Sequence, residues 1–448
     1  MTQIDKDRAD RIAHELHRVD GARPGVGEPD RKHAKMAADP FHFFRGSAQL
    51  FYADLKEGTL SLPGPLVETV TPTAVIGDCH MANFGFMTEK GSHGSTIIFA
   101  PDDFDDACIG TAGWDLLRFL VSIFLAVDLS RGVVEGRYAT EEVDDLSGLK
   151  APSEAETLEA AHAFLKRYRK TSRKISRDPG KRREVLSSFP RHHVLCPTMK
   201  KARKRAIGGK KFETKSKLGK AVEATSEGLR FRNRPGRYKR LDAAMAAQIR
   251  SVFRPYVDDE ILDIVERLGA GTGSVNVDRY YLLVGPKGAS TVAELPMCHL
   301  VEVKQQRTAA PLAHFPDIDP RNTLEPAHLT VAVQQLVQRE PDLLLDEVTW
   351  QGVQWLVRSR HHAKVSLEPE EVCLARKHSG RRLRQYVEAC GEALALTHAR
   401  ADTRSTRFEV AVAAAVGQSA EALIETAEAY AGRTLADWGL LNHLHQAE

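Results

Sequence analysis

The spacing of hydrophobic and polar residues changes period several times along this chain. Residues 1–70 carry aliphatics between charges at helical intervals, and in PFHFFRGSAQLFYADL the residues Phe43, Phe44, Leu50 and Phe51 fall on one buried face behind Pro40, which suits a helix start. Two β-rich runs follow, TAVIGD (73–78) and STIIFAPDDFDDA (95–107), and together they predict a small hairpin with acidic residues at its ends. An apolar helix is predicted from Asp115 to about Leu129. From about Lys166 to Lys220 basic residues dominate, broken by Pro179, Gly180, Pro190 and Gly208-Gly209, the pattern of an inserted or flexible module.

A second β-rich region opens near Ile261, where a Gly-rich turn precedes two strands, the later one in CHLVEVKQQR (298–307). Beyond it LTVAVQQLVQRE (329–340) predicts a helix, TWQGVQWLVRSR (349–360) a strand and RRLRQYVEACGEALALTHARAD (381–402) a strong helix, and the last forty residues read as Ala-rich helix. Helices and strands together predict an α+β protein.

Composition narrows the class. The 448 residues are 42% hydrophobic, enough for more than one core. Net charge is only +3, from 63 basic and 60 acidic residues, so any bias toward a polyanion is local to the basic segment. The first twenty residues contain no apolar signal core, and the VSIFLAV stretch is cut off by Asp128 before it could cross a bilayer. The cysteines at 79, 108, 196, 298, 373 and 390 form no CxxC pair, which argues against both a disulfide scaffold and a structural zinc site. A cytoplasmic protein with no membrane contact is expected.

The most specific chemical signal is Gly77-Asp78-Cys79-His80-Met81-Ala82-Asn83, followed by Asp102-Asp103-Phe104-Asp105-Asp106. Phosphoryl transfer needs a carboxylate to orient a nucleophilic hydroxyl, and a carboxamide with a second carboxylate to hold Mg²⁺ on the nucleotide phosphates. Asp78 and Asn83 supply the first two from one loop, and Asp103 supplies the third from the end of the next strand; Asp105 is taken as a further metal candidate, although spacing leaves open which of Asp102, Asp105 and Asp106 joins Asp103, and these three also read as a solvated acidic turn. His80 reads as a catalytic group or as a brace of the loop. Asp115 reads as a helix cap or as an acceptor for backbone amides of the 78–83 loop. A second constellation joins Gly271, Gly273 and Ser274 of the Gly-rich turn to Lys304, since such a turn lets amides approach phosphate oxygens and a strand lysine adds a point charge. Arg358 and Arg45 are lesser candidates, each also readable as a structural ion pair.

PFHFFRGSA, GDCHMANFG, DDFDDACIGTAGWDLLRF, GTGSV, VEVKQQR and CGEALALTHARAD together resemble the bacterial family known as domain of unknown function 2252. That family is grouped by similarity with protein-kinase-like and aminoglycoside-phosphotransferase-like proteins. The resemblance implies a two-lobed kinase-like fold with Asp78 as the catalytic-loop aspartate, Asn83 and Asp103 at metal and Lys304 at the nucleotide. Here the turn and lysine follow the catalytic loop instead of preceding it, which implies a circular permutation. Asn276 stands where a third glycine is expected, and LTVAVQQLVQRE offers no convincing glutamate to pair with Lys304.

The expected organisation is a catalytic and metal region at 1–165, the basic module at 166–220, the Lys-bearing sheet at 221–360 and returning helices at 361–448. The expected activity is ATP- and Mg²⁺-dependent phosphate transfer to an unidentified acceptor. Two alternatives are a nucleotide-binding regulator without turnover and a polyanion- or nucleic-acid-binding module built on residues 166–220.

Overall fold

The computed structural model describes residues 3–24, 31–269 and 277–446. The chain is a mixed α+β protein. Its N-terminal helices include α1 (Gln3–Asp20), α2 (Pro40–Gly46) and α3 (Ala48–Lys56). Pro40 stands in the first turn of α2, and the Asp39 side chain caps that helix by accepting from His42 N at 2.9 Å.

Strands β1 (Thr73–Val75), β2 (Phe84–Thr88), β3 (Ile97–Pro101) and β4 (Cys108–Gly110) come next. The hairpin expected between TAVIGD and STIIFAP is not formed: β1 pairs with β4, whereas β3 pairs with β2. The unrecognised partner, FGFMT, is buried at every position, so it shows none of the alternation by which a half-exposed strand is read.

Helix α4 (Ala112–Val134) is buried nearly all round and forms the axis of the largest core. It starts earlier than expected, because Thr111 caps it by accepting from Gly113 N, and this leaves Asp115 free for another task. Helix α5 (Glu154–Arg177), opened by a Ser153–Glu156 capping box, packs on α4. The 166–220 segment is folded rather than flexible. Tyr168 of α5 and Leu195, Cys196, Met199 and Ala202 in and beside α6 (Cys196–Arg205) join the main core, while many of the basic side chains are exposed and Arg182 is buried against Glu409.

After a two-stranded antiparallel hairpin, β5 (Val222–Thr225) and β6 (Gly228–Phe231), comes an antiparallel sheet in the order β11-β12-β10-β9-β8-β7. Its strands are β7 (Tyr238–Lys239), β8 (Glu260–Arg267), β9 (Arg279–Gly285), β10 (His299–Gln305), β11 (Asp346–Trp350) and β12 (Val353–Ser359). ILDIVER thus adds a strand before the Gly-rich segment to the two expected after it. TWQGVQWLVRSR is a hairpin rather than one strand, with its turn at Gln351-Gly352, both at positive φ. One face of the sheet packs Val301, Val303 and Trp355 against Ile249 and Phe253 of α7 (Ala243–Phe253). Helix α8 (Pro326–Val337), β13 (Val365–Ser366) on the edge of β2, and helices α9 (Ser379–Arg400) and α10 (Arg407–Gln446) complete the chain. No helix among the described residues is long and apolar enough to cross a membrane.

Candidate functional site

Gly77 begins the site. Its φ of +78° and the approach of the Asp106 carbonyl oxygen, 1.9 Å from where a Cβ would stand, admit only glycine. The chain therefore turns sharply out of β1 and presents Asp78. Asp115 in the first turns of α4 accepts from Ile76 N at 2.8 Å and Gly77 N at 3.1 Å, so it reaches backbone amides just ahead of the 78–83 loop. His398 of α9 lies 3.0 Å from the same carboxylate through Nε2, and Tyr168 hydroxyl meets its Nδ1 at 2.8 Å.

Three residues after Asp115, hence on the same helix face, stands the fully buried Arg118. Its Nε and Nη2 donate to Asp78 Oδ1 at 2.8 and 2.6 Å, and Nη2 also donates to the Phe44 carbonyl. The Phe44 ring covers the guanidinium at 4.1 Å. Burial alone would raise the Asp78 carboxyl, but Arg118 and His80 outweigh it and hold Asp78 well below the usual carboxylate range. His80 lies 3.6 Å from Asp78 Oδ2 and edge-on to Phe41. Burial lowers its pKa and keeps the ring neutral, and its Nδ1 has no hydrogen-bond partner among the described residues. Asn83 donates Nδ2 to the Asp78 carbonyl at 2.8 Å, which fixes the carboxamide and leaves Oδ1 as its available end.

The acidic segment faces this loop. Burial and the adjacent Asp105 push the Asp103 carboxyl up to about 6, against the pull of Lys304, Lys364 and Arg358. Asp105 pairs through Oδ2 with Lys304 Nζ, while its Oδ1 is buried without a hydrogen bond. Asp102 points away, accepting from Ser366 Oγ at 2.9 Å, and Asp106 accepts from Ala310 N at 2.7 Å. Period-two projection from β10 sets the opposite wall. Lys304 and Glu302 share a face, and Glu302 is fully buried among Arg279, Arg358 and Arg360. The cation expected at nucleotide, Arg358, is therefore held 2.8 Å from Glu302 and 3.8 Å from Asp105.

Asp78, His80, Asn83, Asp103, Asp105 and Lys304 all line one cleft, joined by Arg45, Gln306 and Arg307, with a cavity volume of about 90 Å³. Arg358 lies behind this wall, and Gly271, Gly273 and Ser274 lie outside the described residues. Asp402 of the HARAD segment is paired with Arg404 away from the cleft. Arg118, Glu302 and Gln306 received no role from the sequence. Arg118 was open to detection as the i+3 neighbour of Asp115; the others acquire meaning only when β10 meets a loop some two hundred residues distant in sequence.

Two carboxylates at Asp103 and Asp105, one raised by the other, an orphaned Asp105 oxygen and an available Asn83 oxygen form a hard oxygen donor set, which fits Mg²⁺. A search of curated proteins and one of solved structures each find no match. The family described as "Uncharacterized protein conserved in bacteria (DUF2252)" matches residues 29–136 and 148–444, most of the chain, and the protein belongs to that family.

Proposed function

We propose that this protein is an ATP- and Mg²⁺-dependent phosphotransferase with a two-lobed, circularly permuted kinase-like fold, acting on an unidentified hydroxyl-bearing acceptor. The observation that carries the reading is the convergence of Asp78, Asn83, Asp103 and Lys304 on one cleft from segments far apart in sequence. Asp103, Asn83 and Asp105 would hold Mg²⁺, which neutralises phosphate charge when bound. Lys304, buried on β10, is the point charge for the nucleotide phosphates once it exchanges Asp105 for them.

Asp78 orients the acceptor hydroxyl through its Oδ2, since Oδ1 is occupied by Arg118. A carboxylate held so acidic is a weak proton acceptor, so its part is positioning more than proton abstraction, as suits a transfer with little covalent work for the protein. His80, neutral and braced on Asp78 and Phe41, fixes the direction of that oxygen.

The test is turnover and calorimetry on one preparation, with ATP, Mg²⁺ and a panel of hydroxylated small molecules and proteins. Asp78→Ala is expected to cost about 10² to 10⁴-fold in phosphate transfer with nucleotide affinity nearly unchanged. Lys304→Ala should weaken nucleotide binding, and Asp103→Asn should abolish its Mg²⁺ dependence. Wild-type turnover no higher than that of Asp78→Ala would leave a nucleotide-binding regulator instead.

A further observation supports a polyanion partner. Lys200, Lys201, Lys204, Arg205, Lys211, Lys215 and Lys220 line one basin, and none is ion-paired among the described residues. Burial, then Arg205, Lys215 and Lys201, lower the Lys220 ammonium, a sign of mutual repulsion that an anion relieves. No aromatic residue lines the basin, so contact is to phosphates rather than bases. Heparin or polyphosphate affinity should fall steeply with salt, with a slope reduced in Lys204→Glu/Lys215→Glu; an unchanged slope would remove the basin from the interface.

A further inference from the structure

Away from the cleft, two histidines and an aspartate from three distant parts of the chain meet at one end of the six-stranded sheet. His93 lies in the turn after β2, Asp258 in the loop that enters β8, and His299 is the first residue of β10. One potential ligand atom from each lies within 4.8 Å of the other two. His93 Nε2 is 2.7 Å from Asp258 Oδ2, and His299 Nε2 is 3.1 Å from Asp258 Oδ1.

We propose that His93, Asp258 and His299 form a binding site for a divalent transition cation of the zinc type. Four-coordinate zinc with ligands at about 2.0 to 2.2 Å separates its donor atoms by roughly 3.3 to 3.6 Å, so small side-chain adjustments complete the site. Two imidazoles with one carboxylate select such a cation over Mg²⁺ or Ca²⁺, which take oxygen donors. The cysteine spacing that argued against structural zinc is silent on a site of this composition.

Hydrogen bonding leaves the cluster incomplete. His299 Nε2 lies near the Asp258 carboxylate but makes no hydrogen bond to it or to any other described group. Close by, His362 is 2% exposed, and neither of its ring nitrogens has a partner. Buried imidazole nitrogens without partners are costly, and a cation satisfies one that faces it. The exposed edges of His93 and Asp258, at 28% and 46%, leave a coordination position open to water.

This site is separate from the cleft. His299 and Lys304 lie five residues apart on β10, so they project from opposite faces and are separated by about 16 Å along the strand. Its role is to clamp. His93 belongs to the connection between β2 and β3, whereas Asp258 and His299 belong to the large sheet. The turn is already docked there by Ser92, whose N donates to Ser359 Oγ at 2.8 Å and whose Oγ donates to the Arg360 carbonyl at 3.2 Å.

The experiment is titration of chelator-treated full-length protein with Co²⁺, read by visible absorption, followed by displacement with Zn²⁺ and thermal unfolding with and without Zn²⁺. Expected are one equivalent of Co²⁺ with a four- or five-coordinate spectrum, loss of that spectrum on adding Zn²⁺, and a Tm raised by Zn²⁺. His93→Ala and the near-isosteric Asp258→Asn should each weaken binding by at least about 10-fold to 100-fold, while Asp317→Asn, which removes an exposed carboxylate outside the cluster, leaves it unchanged. His93→Gln, retaining size and polarity, separates ligand loss from misfolding. Absence of saturable Co²⁺ binding, or binding of wild-type strength in His93→Ala and Asp258→Asn, would overturn the proposal and leave an ordinary His–Asp–His ion pair.

Discussion

Replacing Arg118 by Met keeps an unbranched side chain of similar length and removes the guanidinium, so it isolates what the cation does for Asp78. Arg118 is enclosed completely, whereas the Asp78 side chain keeps 18% exposure toward the cleft. Removing one partner of a fully buried pair costs about 3 to 5 kcal/mol, and the water still reaching Asp78 reduces the expected loss to roughly 2 to 4 kcal/mol. The assay is urea unfolding at pH 7 of wild type, Arg118→Met, Asp78→Asn and the double variant. Because the two side chains share two hydrogen bonds, the cycle should show a coupling of about 1.5 to 3 kcal/mol. The pH dependence has a definite sign. Asp78 sits below its unfolded value, so its contribution is complete above about pH 4 and is lost as pH falls through the depressed folded value. The gap between wild type and Arg118→Met should therefore be constant from pH 5 to 8 and narrow below pH 4. Additive single costs, or a gap that persists unchanged in acid, would refute the claim that Arg118 acts through the Asp78 charge.

Gly77→Ala should cost at least about 3 kcal/mol in urea unfolding, since a Cβ would collide with the Asp106 carbonyl at a backbone angle disfavoured for alanine. Lys217→Met should stabilise the protein at pH 6. Burial first, then Arg360, Lys364, Lys220 and Arg205, bring the Lys217 ammonium down to about 7, so the cost of its charge is complete below pH 7 and fades as pH rises toward about 10. A stabilisation that grows between pH 7 and 10 would contradict that sign.

The parts of the site legible in the sequence are those whose chemistry is local. Asp78 and Asn83 lie on one loop, and Asp103 and Asp105 on one turn, so spacing alone suggested their partnership. Lys304 was legible as a strand lysine, but its contact with Asp105 was not, because it depends on docking β10 across a tertiary boundary. LTVAVQQLVQRE held no convincing glutamate partner for Lys304, and its Glu340 lies beside Arg183; the buried Glu302 stands two residues before Lys304 and serves three arginines instead. The helices were read well where one face is buried. Strand β2 escaped because both of its faces are buried, and the hairpin β11–β12 because Gln351-Gly352 is a weaker turn signal than Asn-Gly.

The segments that carry the family resemblance without carrying chemistry have a common physical role around Asp78. From PFHFFRGSA, Phe44 covers Arg118 and Phe41 supports His80. From GTAGWDLLRF come Asp115, which holds the backbone at Ile76 and Gly77, and Arg118 itself. CGEALALTHARAD supplies His398, which holds Asp115. Asp78 is thus fixed through three separate elements before any ligand arrives. Asp105 is secured differently, through Lys304 on the facing sheet and a glutamine bond to its carbonyl, while its second carboxylate oxygen makes no hydrogen bond among the described residues and lies 3.8 Å from Arg358. This division suits the proposed phosphate transfer, in which the group that aims an acceptor would be preorganised, whereas groups that meet metal and phosphate would exchange one set of charges for another. A change in the Phe44–Arg118–Asp78 chain should therefore appear in turnover, while a change at Lys304 or Asp105 should appear first in binding.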